Sequence, residues 1–318
     1  MDQDARVDVE NEPLVSVGIP TYNRPKGLRR TLECITGQTY RNLEIIVSDN
    51  CSPGLETEAV VKEFQETDSR IQWFRQYENI GAINNFKFVL DKANGEYFMW
   101  AADDDEWHFN FISNCVLCLK RNNDIGVVFT KYHVISSTYP IIKMKHFPDM
   151  AFVSNDDPFV RIKGFLLIDE KSHKANFIYG LWRMEKISEF FSLWCNLSDL
   201  RLKMRLSIDA IAIIAYLSKY KAMQINEILF IKTYEGFPPG HVFGTILSFI
   251  YTMPRVRWQN KKVLVENNSN VIKSVLQNKG VWNNQFNDIV KEYLDQINTS
   301  CIKYTINSLY RDLKMGII

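Results

Sequence analysis

The chain has 318 residues, of which 46% are hydrophobic and 24% charged, and its formal net charge is +1. This is the composition of a globular protein, and the length suits one large α/β domain with an appendage. A charge this close to neutral argues against nucleic acid as a partner.

The six cysteines are scattered, and the chain opens on Met-Asp-Gln-Asp-Ala-Arg with no apolar signal region. Both features favour a reducing, cytoplasmic location. Cys115 and Cys118 form a C-x-x-C on a helical pattern, but no second Cys or His pair follows at zinc spacing, so packing is the favoured interpretation. No apolar run reaches the ~20 residues that a bilayer-spanning helix needs.

The first elements in chain order predict a strand, loop, helix, strand unit. Residues 1–12 are acidic with little to bury, which is typical of a disordered leader. A buried strand is predicted at Leu14–Ile19, a helix at Leu28–Thr36 and a second strand at Leu43–Ser48. Such a unit begins a doubly wound sheet.

The pattern continues with a helix from about Leu55 to Gln65, a strand at Ile71–Arg75, a helix at Phe86–Ala93 and a strand at Tyr97–Trp100. Parallel strands place their following loops at one edge of the sheet, where α/β proteins bind ligands. The loops at this edge would carry Thr21, Asn23, Asp49, Asn50, the polar run Asn79–Asn85 and Asp103–Asp105.

Three adjacent carboxylates, Asp103, Asp104 and Asp105, follow the fourth predicted strand. They repel one another and resist burial unless a positive charge lies among them. A solvated acidic loop is the ordinary explanation of such a triplet. Its place at the end of an apolar strand favours Mg²⁺ or Mn²⁺, held by one or two carboxylates together with substrate phosphates.

The chain contains neither G-x-G-x-x-G after the first strand nor G-x-x-x-x-G-K-S/T, so a diphosphate would depend on a metal. Asp49 can accept a hydrogen bond from a base N–H or a ribose hydroxyl, but an Asx-turn before Ser52-Pro53-Gly54 explains it equally well. Tyr22 can lie against a base or serve in packing.

Beyond Trp107 the order of elements is less regular. Residues 136–158 have no clear period, and Asn176–Arg183 is predicted as a strand with a glycine break. The other predicted elements are a helix carrying Phe111, Ile112, Cys115 and Leu119 on one face, a strand at Ile125–Thr130, a buried helix at Ile208–Leu217 and a strand at Ala222–Ile231.

Four of these segments together resemble the family 2 glycosyltransferases with the A-type nucleotide-sugar fold. The segments are Val15–Arg24, Leu43–Asn50, Asn79–Gly81 and Gly95–Asp105, which match the family's motifs in order and spacing. The resemblance implies a Rossmann-like, mostly parallel sheet flanked by helices. Apolar faces in residues 243–318 separately predict a helical C-terminal extension. The resemblance also implies an inverting, metal-dependent transferase that takes a nucleotide-diphosphate sugar as donor.

The same resemblance implies roles for residues at the sheet edge. It sets Pro20, Thr21, Tyr22 and Asn23 beside the nucleobase, Asp49 on the base edge, Asn79 near the nucleotide, Asp103 on the ribose side and Asp104 on the metal. Many members have an acidic residue where this chain has Ala102, so the family's Asp-x-Asp falls on Asp103 and Asp105 or on the Asp103-Asp104 pair. Both ways of aligning the neighbouring Trp107 leave Asp104 at the family's metal position, and Asp105 is the second candidate.

Asp209 lies in the first turn of the predicted buried helix, where the helix dipole alone favours a carboxylate. The family places its general base ahead of a helix followed by a strand, so the resemblance implies that Asp209 deprotonates the acceptor hydroxyl. The family's usual Glu-Asp pair is Ile208-Asp209 here. By resemblance alone, the acceptor is a saccharide or a lipid-linked acceptor in surface polysaccharide or glycolipid synthesis.

The expected organisation is a leader (1–12), a catalytic domain (13–240, divided at residue 107 into nucleotide-binding and acceptor halves) and a helical extension (241–318). His241 lies in an aromatic loop, where it is either simply exposed or able to reach the metal or the diphosphate. Phe243–Met253 is followed by Arg255, Arg257, Lys261 and Lys262. This segment suits packing on the catalytic domain or a second subunit, or contact with the inner face of an anionic membrane.

Two other classes remain open from the sequence. A nucleotidyltransferase acting on sugar phosphates also uses an α/β sheet and a carboxylate-bound metal, but typically has a glycine-rich basic loop that Pro20–Gly27 matches poorly. A non-catalytic relative that binds nucleotide sugars would keep the sheet and lose the base or the metal.

Overall fold

The computed structural model describes residues 12–136, 145–146, 148–168, 174–198 and 208–234, with residues 272–273, 276–277, 286, 288–289 and 292. The strands are β1 (Val15–Thr21), β2 (Leu43–Asp49), β3 (Ile71–Arg75), β4 (Tyr97–Trp100), β5 (Glu106–Trp107), β6 (Ile125–Ser136), β7 (Lys145–His146), β8 (Leu181–Arg183) and β9 (Lys221–Tyr234). The helices are α1 (Pro25–Thr36), α2 (Glu56–Gln65), α3 (Ala82–Asp91), α4 (Phe111–Arg121), α5 (Pro158–Leu167), α6 (Met184–Ser198) and α7 (Ile208–Leu217). Short 3₁₀ helices cover Ala151–Ser154 and Lys174–Tyr179.

These strands form one sheet in the order β3-β2-β1-β4-β8-β6-β9-β5, with β7 paired to β6. The first four strands pair in parallel, as expected for strands joined by helices. Strand β8 is antiparallel to both β4 and β6, and β5 is antiparallel to β9. The predicted α/β fold, a Rossmann-like sheet flanked by helices, is confirmed, and the whole sheet is mixed because β5, β7 and β8 run against their neighbours.

Several elements have the bounds that the hydrophobic pattern of the sequence predicts. Strands β3 and β4 and helix α7 have the predicted bounds, whereas α3 begins at Ala82, ahead of the predicted Phe86. The strand predicted at Asn176–Arg183 is wrong over most of its length, because Lys174–Tyr179 is a 3₁₀ helix and only Leu181–Arg183 is strand. Gly180 separates the two parts, and a Cβ there would lie 2.6 Å from the Val128 carbonyl oxygen.

Strands β1, β2 and β4 are buried along their whole length, which explains why they appear as continuous apolar runs. The core beyond β4 is aromatic. The Trp100 ring lies 5.2 Å from Phe98 and 5.4 Å from Phe191, and its indole N–H donates to the Phe86 carbonyl oxygen at 3.1 Å. This packing fixes the end of β4, from which the aspartates follow.

Within the described ranges, no helix combines the length and apolar character needed to cross a membrane. The predicted leader up to residue 11 and the basic segment around residues 243–262 lie outside the described residues. The predicted domain boundary at residue 240 falls there as well.

A buried carboxylate, Glu44, lies at the sheet edge opposite the aspartates. Its oxygens accept hydrogen bonds from the Ser16 hydroxyl (2.6 Å), the Asn94 backbone N–H (2.5 Å) and the Gln72 amide (3.2 Å). Burial alone would raise the pKa of Glu44, but these hydrogen bonds outweigh it and lower the pKa. Because the folded-state pKa is lowered, the ionised Glu44 stabilises the fold above its unfolded pKa, and this stability is lost as the pH falls through the folded pKa.

We expect Glu44→Gln to lower the free energy of unfolding at pH 7.5 by about 1–3 kcal/mol, because a charged acceptor of several hydrogen bonds is lost. Urea unfolding at pH 7.5 and at pH 3 measures this loss, and the difference between the variant and the unmodified chain should shrink at the lower pH. Glu63→Gln removes an exposed ion pair with Arg29 and is the matched control. An equal loss at both pH values would contradict the account.

Candidate functional site

The carboxyl ends of β1, β2 and β4 meet at one edge of the sheet. Thr21 is paired with Asp49 in the parallel register, and Gly18 is paired with Trp100, three residues before Asp103. The Asn85 amide donates to the Ser48 carbonyl oxygen at 2.9 Å and joins α3 to this edge. The edge predicted from the sequence is therefore the place where these polar residues come together.

Asp103 and Asp104 form a turn beside the start of α1. The Asp103 carboxylate accepts hydrogen bonds from the Thr21 hydroxyl at 2.7 Å and from the Tyr22 backbone N–H at 3.4 Å. Arg24 joins the two aspartates, because its Nη1 lies 3.2 Å from Asp103 Oδ1 and 2.8 Å from Asp104 Oδ2. Burial raises the pKa of Asp103, although Arg24 opposes the shift.

Asp105 is engaged on a different side of the cluster. Its Oδ2 lies 2.7 Å from Lys232 Nζ, and its Oδ1 accepts from the Thr233 backbone N–H at 2.9 Å. The pairing of Glu106 with Ile231 between β5 and β9 places Asp105 next to Lys232. Burial raises the pKa of Asp105 to about 7 despite this partner. Both oxygens of Asp105 are thus used by groups of the protein itself.

Lys232 is a second cation within the aspartate cluster. Its Nζ lies 3.9 Å from Asp104 Oδ1 and 4.9 Å from the centre of the Tyr179 ring. Burial alone would lower the pKa of Lys232, but Tyr179, Asp105 and Asp104 together raise it, so the side chain is protonated at neutral pH. A buried lysine is tolerated here because carboxylates and an aromatic ring surround it.

Helix α1 holds the aspartate turn in place. The Thr31 hydroxyl donates to the carbonyl oxygens of Ala102 (2.9 Å) and Asp105 (3.1 Å), on either side of the turn. A Cβ at Gly27 would collide with the Asp103 carbonyl oxygen, so any side chain there would force the backbone to move. The glycine therefore lets α1 approach the turn closely.

Asp49 lies at the end of β2, and only one of its two carboxylate oxygens accepts hydrogen bonds. Its Oδ1 accepts from the Ser52 backbone N–H at 3.0 Å and from the Ser52 hydroxyl, which is the Asx-turn expected from the sequence. Its Oδ2 is buried and has no hydrogen bond, and its nearest cation is Arg75, 3.8 Å away. This oxygen therefore forms an ion pair with Arg75 and can still accept a hydrogen bond from a further donor.

The remaining residues predicted beside the nucleotide differ in exposure. Pro20 is buried within β1, whereas the Tyr22 side chain is 45% exposed. Asn23 has a positive φ of 53°, and its N–H donates to the Ser52 hydroxyl at 2.7 Å. Asn79 accepts from the Asn50 amide at 2.9 Å and from its own loop, so it orders the segment before α3.

The aspartates offer a cation few ligands from the protein. Among the residues that the structure describes, no group of three or more His, Cys, Asp or Glu side chains is arranged to hold a metal ion. Asp104 is the aspartate with an oxygen nearest to Arg24, and its side chain is 10% exposed. A hard cation held by one or two carboxylates takes its other ligands from water and substrate phosphates, and this donor set fits that arrangement.

The predicted base, Asp209, is the second residue of α7, but its side chain is outside the described part of the structure. The other end of this helix is held by buried Arg161, whose Nε donates to the Leu217 carbonyl oxygen at 2.8 Å. His241 is likewise outside the described residues.

Sequence reasoning gave Arg24, Lys232, Gly27 and Thr31 no role. Arg24 lies within the segment Val15–Arg24 that resembles the family, but the sequence does not indicate that it contacts the aspartates. Lys232 is distant in sequence from the aspartates, and only the antiparallel pairing of β5 with β9 brings it to them.

The part of the chain that carries Thr21, Asp49 and Asp103–Asp105 matches the model of a known protein family. The model of the family described as "Glycosyl transferase family 2" matches residues 16–188. A Campylobacter jejuni protein named GalNAc(5)-diNAcBac-PP-undecaprenol beta-1,3-glucosyltransferase is 40% identical over 118 residues, which is 37% of each chain. The putative colanic acid biosynthesis glycosyl transferase WcaA of Escherichia coli is 34% identical over 107 residues, which is 33% of this chain and 37% of WcaA. The matched region thus spans well under half of these relatives.

Solved structures share the architecture at low sequence identity. The S. aureus protein TarS superposes with a TM-score of 0.51 and 15% identity, covering 81% of this chain and 43% of TarS. The 1–349 portion of TarS in complex with UDP-GlcNAc gives a TM-score of 0.50 at 15% identity, covering 80% of this chain and 71% of that portion. These matches support the A-type glycosyltransferase fold. With the family model covering more than half of the sequence, the chain belongs to glycosyl transferase family 2.

Proposed function

We propose that the protein is an inverting glycosyltransferase that moves a sugar from a nucleotide-diphosphate donor to an acceptor hydroxyl. The observation that carries the proposal is the edge where Thr21, Asp49, Asp103 and Asp104 meet, with an unsatisfied carboxylate oxygen at one end and the aspartate turn at the other. The family membership supports transfer of a sugar, and the geometry of the edge supports a nucleotide donor.

The nucleoside would lie along the ends of β1 and β2. Asp49 Oδ2 would accept a hydrogen bond from a base N–H, and the half-exposed Tyr22 ring would stack on the base. Asp103, which accepts a hydrogen bond from the Thr21 hydroxyl, would also accept hydrogen bonds from the ribose hydroxyls. Pro20, Asn23 and Asn79 would shape the pocket through the backbone and the loop they order.

A divalent cation, Mn²⁺ or Mg²⁺, would bind jointly to Asp104 and the donor diphosphate. When bound, it would supply Lewis-acid neutralisation of the charge that grows on the departing diphosphate. Asp105 as a further ligand stays a prediction, and it would require the contact with Lys232 to open. Because the described residues supply so few ligands, we expect the cation to bind weakly alone and more tightly with the nucleotide.

Transfer would be a single in-line displacement at the anomeric carbon. Asp209 would take the proton from the acceptor hydroxyl as its oxygen attacks, and the nucleoside diphosphate would leave on the opposite side. Holding donor and acceptor between Asp209 and the aspartate turn would supply much of the remaining acceleration. No covalent sugar intermediate is required.

The acceptor would be a saccharide or a lipid-linked saccharide of surface polysaccharide or glycolipid synthesis. Support comes from two relatives, one named for its action on an undecaprenol-linked glycan and one named for colanic acid synthesis. Such acceptors would suit a cytoplasmic protein at the inner face of a membrane. The basic segment 255–262 would touch that surface, or the helices predicted for the C-terminal extension would join two copies of the chain.

Incubation with Mn²⁺ and a panel of UDP-, GDP-, CDP- and dTDP-sugars tests the proposal. Release of nucleoside diphosphate with sugar transfer is the expected result. Release of pyrophosphate would indicate a nucleotidyltransferase acting on sugar phosphates. Binding of a donor without any turnover in the presence of polysaccharide and lipid-linked acceptors would indicate a non-catalytic relative.

The role of Asp49 gives a separate prediction. We expect Asp49→Asn to weaken binding of the preferred nucleoside diphosphate by about 10- to 100-fold, because a charged acceptor facing a base N–H is lost. Binding of inorganic pyrophosphate with Mn²⁺ should not change, since pyrophosphate has no base. Calorimetry measures both, with Asp68→Asn, a carboxylate paired with Arg70, as the control. Equal weakening of both ligands would remove Asp49 from the base edge.

A further inference from the structure

Two cationic side chains, Arg24 and Lys232, lie near Asp104, and they differ in how far they are exposed to solvent. Lys232 is buried, with a side chain that is 10% exposed, and it is held by Asp105 at 2.7 Å. The Arg24 side chain is 48% exposed, yet its Nη1 lies 2.8 Å from Asp104 Oδ2. Arg24 is therefore the partner of Asp104 whose guanidinium already contacts solvent, and its departure would leave two buried carboxylates that need another cation.

The backbone at Arg24 is held by its neighbours in the chain, and a half-exposed side chain extends from it. Pro25 follows it and disfavours the helical region for Arg24, whose φ and ψ are −133° and 57°. Its carbonyl oxygen accepts from the Leu28 N–H at 2.9 Å, in the first turn of α1. Any movement of the guanidinium is thus a rotation of the side chain about a rigid attachment at the rim of the site.

Arg24 and a metal ion on Asp104 would compete for the same oxygen. A cation such as Mg²⁺ lies about 2.0–2.1 Å from a carboxylate ligand, so it would come within a few ångströms of a guanidinium bonded to that oxygen. The two positive charges would repel one another in this largely buried turn. The donor diphosphate would bring compensating negative charge to the same place, and a guanidinium binds phosphate oxygens in its fork geometry.

We infer that Arg24 is an exchangeable counter-ion of the donor site. Before the donor binds, Arg24 neutralises Asp103 and Asp104. When the cation and the nucleoside diphosphate bind, the guanidinium leaves Asp104 and binds the diphosphate. The inference rests on the proposed function and adds a diphosphate-binding residue to it. One side chain would then oppose binding of the bare cation and favour binding of the complete donor.

This double role predicts effects of opposite sign in a single variant. In Arg24→Met, which keeps an unbranched stem and removes the charge, Mn²⁺ without nucleotide should bind about 10-fold more tightly. Of UDP, GDP, CDP and dTDP, the one that the unmodified chain binds most tightly is the probe. With saturating Mn²⁺, it should bind the variant about 10-fold more weakly. Electron paramagnetic resonance of free Mn²⁺ measures the first affinity, and calorimetry measures the second.

Two further variants complete the test. Arg29→Met removes an arginine of the same helix that pairs with Glu63 away from the site, and both affinities should stay unchanged. Arg24→Lys keeps the charge and should leave the affinity for bare Mn²⁺ near that of the unmodified chain. Loss of both affinities in Arg24→Met, or no change in the affinity for bare Mn²⁺, would overturn the inference. Failure of the unmodified chain to bind any nucleoside diphosphate would instead overturn the proposed function.

Discussion

Asp104→Asn is expected to lower metal-dependent turnover by about 100-fold or more, while the protein remains folded. The reason is that an amide lacks the charge that a hard cation requires from its ligand, so the departing diphosphate loses its neutralising partner. Initial rates of nucleoside diphosphate release, measured over a range of Mn²⁺ concentrations, give the effect. The variant should need far more Mn²⁺ to reach half of its maximal rate.

The fold should tolerate this change because Arg24 is half exposed and Lys232 keeps its closer partner, Asp105. Thermal unfolding checks that expectation. Asp91→Asn, which alters an exposed carboxylate paired with Lys87, is the matched control and should leave turnover unchanged. Normal turnover and normal Mn²⁺ dependence in Asp104→Asn would refute its assignment as the metal ligand.

Asp209→Asn is expected to lower sugar transfer by about 10²- to 10⁴-fold, the range that loss of a general base produces. Donor affinity should remain nearly the same, because a base acts on the acceptor hydroxyl and not on the nucleotide. Transfer to acceptor and calorimetric binding of the nucleoside diphosphate with Mn²⁺ are measured on the same preparation. A comparable loss of donor affinity would place Asp209 outside the base role.

The competing explanation for Asp209 is a stabilising carboxylate at the start of α7. Asp157 offers a matched comparison, because it caps α5 by accepting from the Phe159 N–H at 2.8 Å. If both aspartates only stabilise helices, Asp157→Asn and Asp209→Asn should shift the unfolding midpoint similarly and leave transfer intact. Loss of transfer in Asp209→Asn alone would support the catalytic role.

The parts of the fold that the sequence predicted are those set by local pattern. Strand β3 is bounded by Arg70 and Gln76, and α7 is apolar except for Asp209 and ends before Ser218, so their limits lie where the hydrophobic pattern changes. The strand predicted before Leu181 failed because its apolar residues suit a buried 3₁₀ helix equally well, and periodicity over so few residues does not separate the two. The sequence did not predict that the sheet is mixed, because the relative direction of two strands depends on pairing between distant segments.

The location of the polar residues at this edge was predictable from the sequence, but their electrostatics were not. The position of Asp103–Asp105 after an apolar strand indicated a site. That Arg24 and Lys232 supply two positive charges to these carboxylates follows from the approach of α1 and from the β5–β9 pairing. The sequence also left Asp49 with two equal explanations, and the structure shows that one oxygen makes the Asx-turn while the other has no hydrogen-bond partner.

Calorimetric titration of the full chain with UDP, GDP, CDP and dTDP, with and without Mn²⁺, tests the central claim most directly. The account predicts that at least one nucleoside diphosphate binds, and that Mn²⁺ strengthens its binding in the unmodified chain but much less in Asp104→Asn. Absence of binding for all four nucleotides, whether or not Mn²⁺ is present, would contradict it.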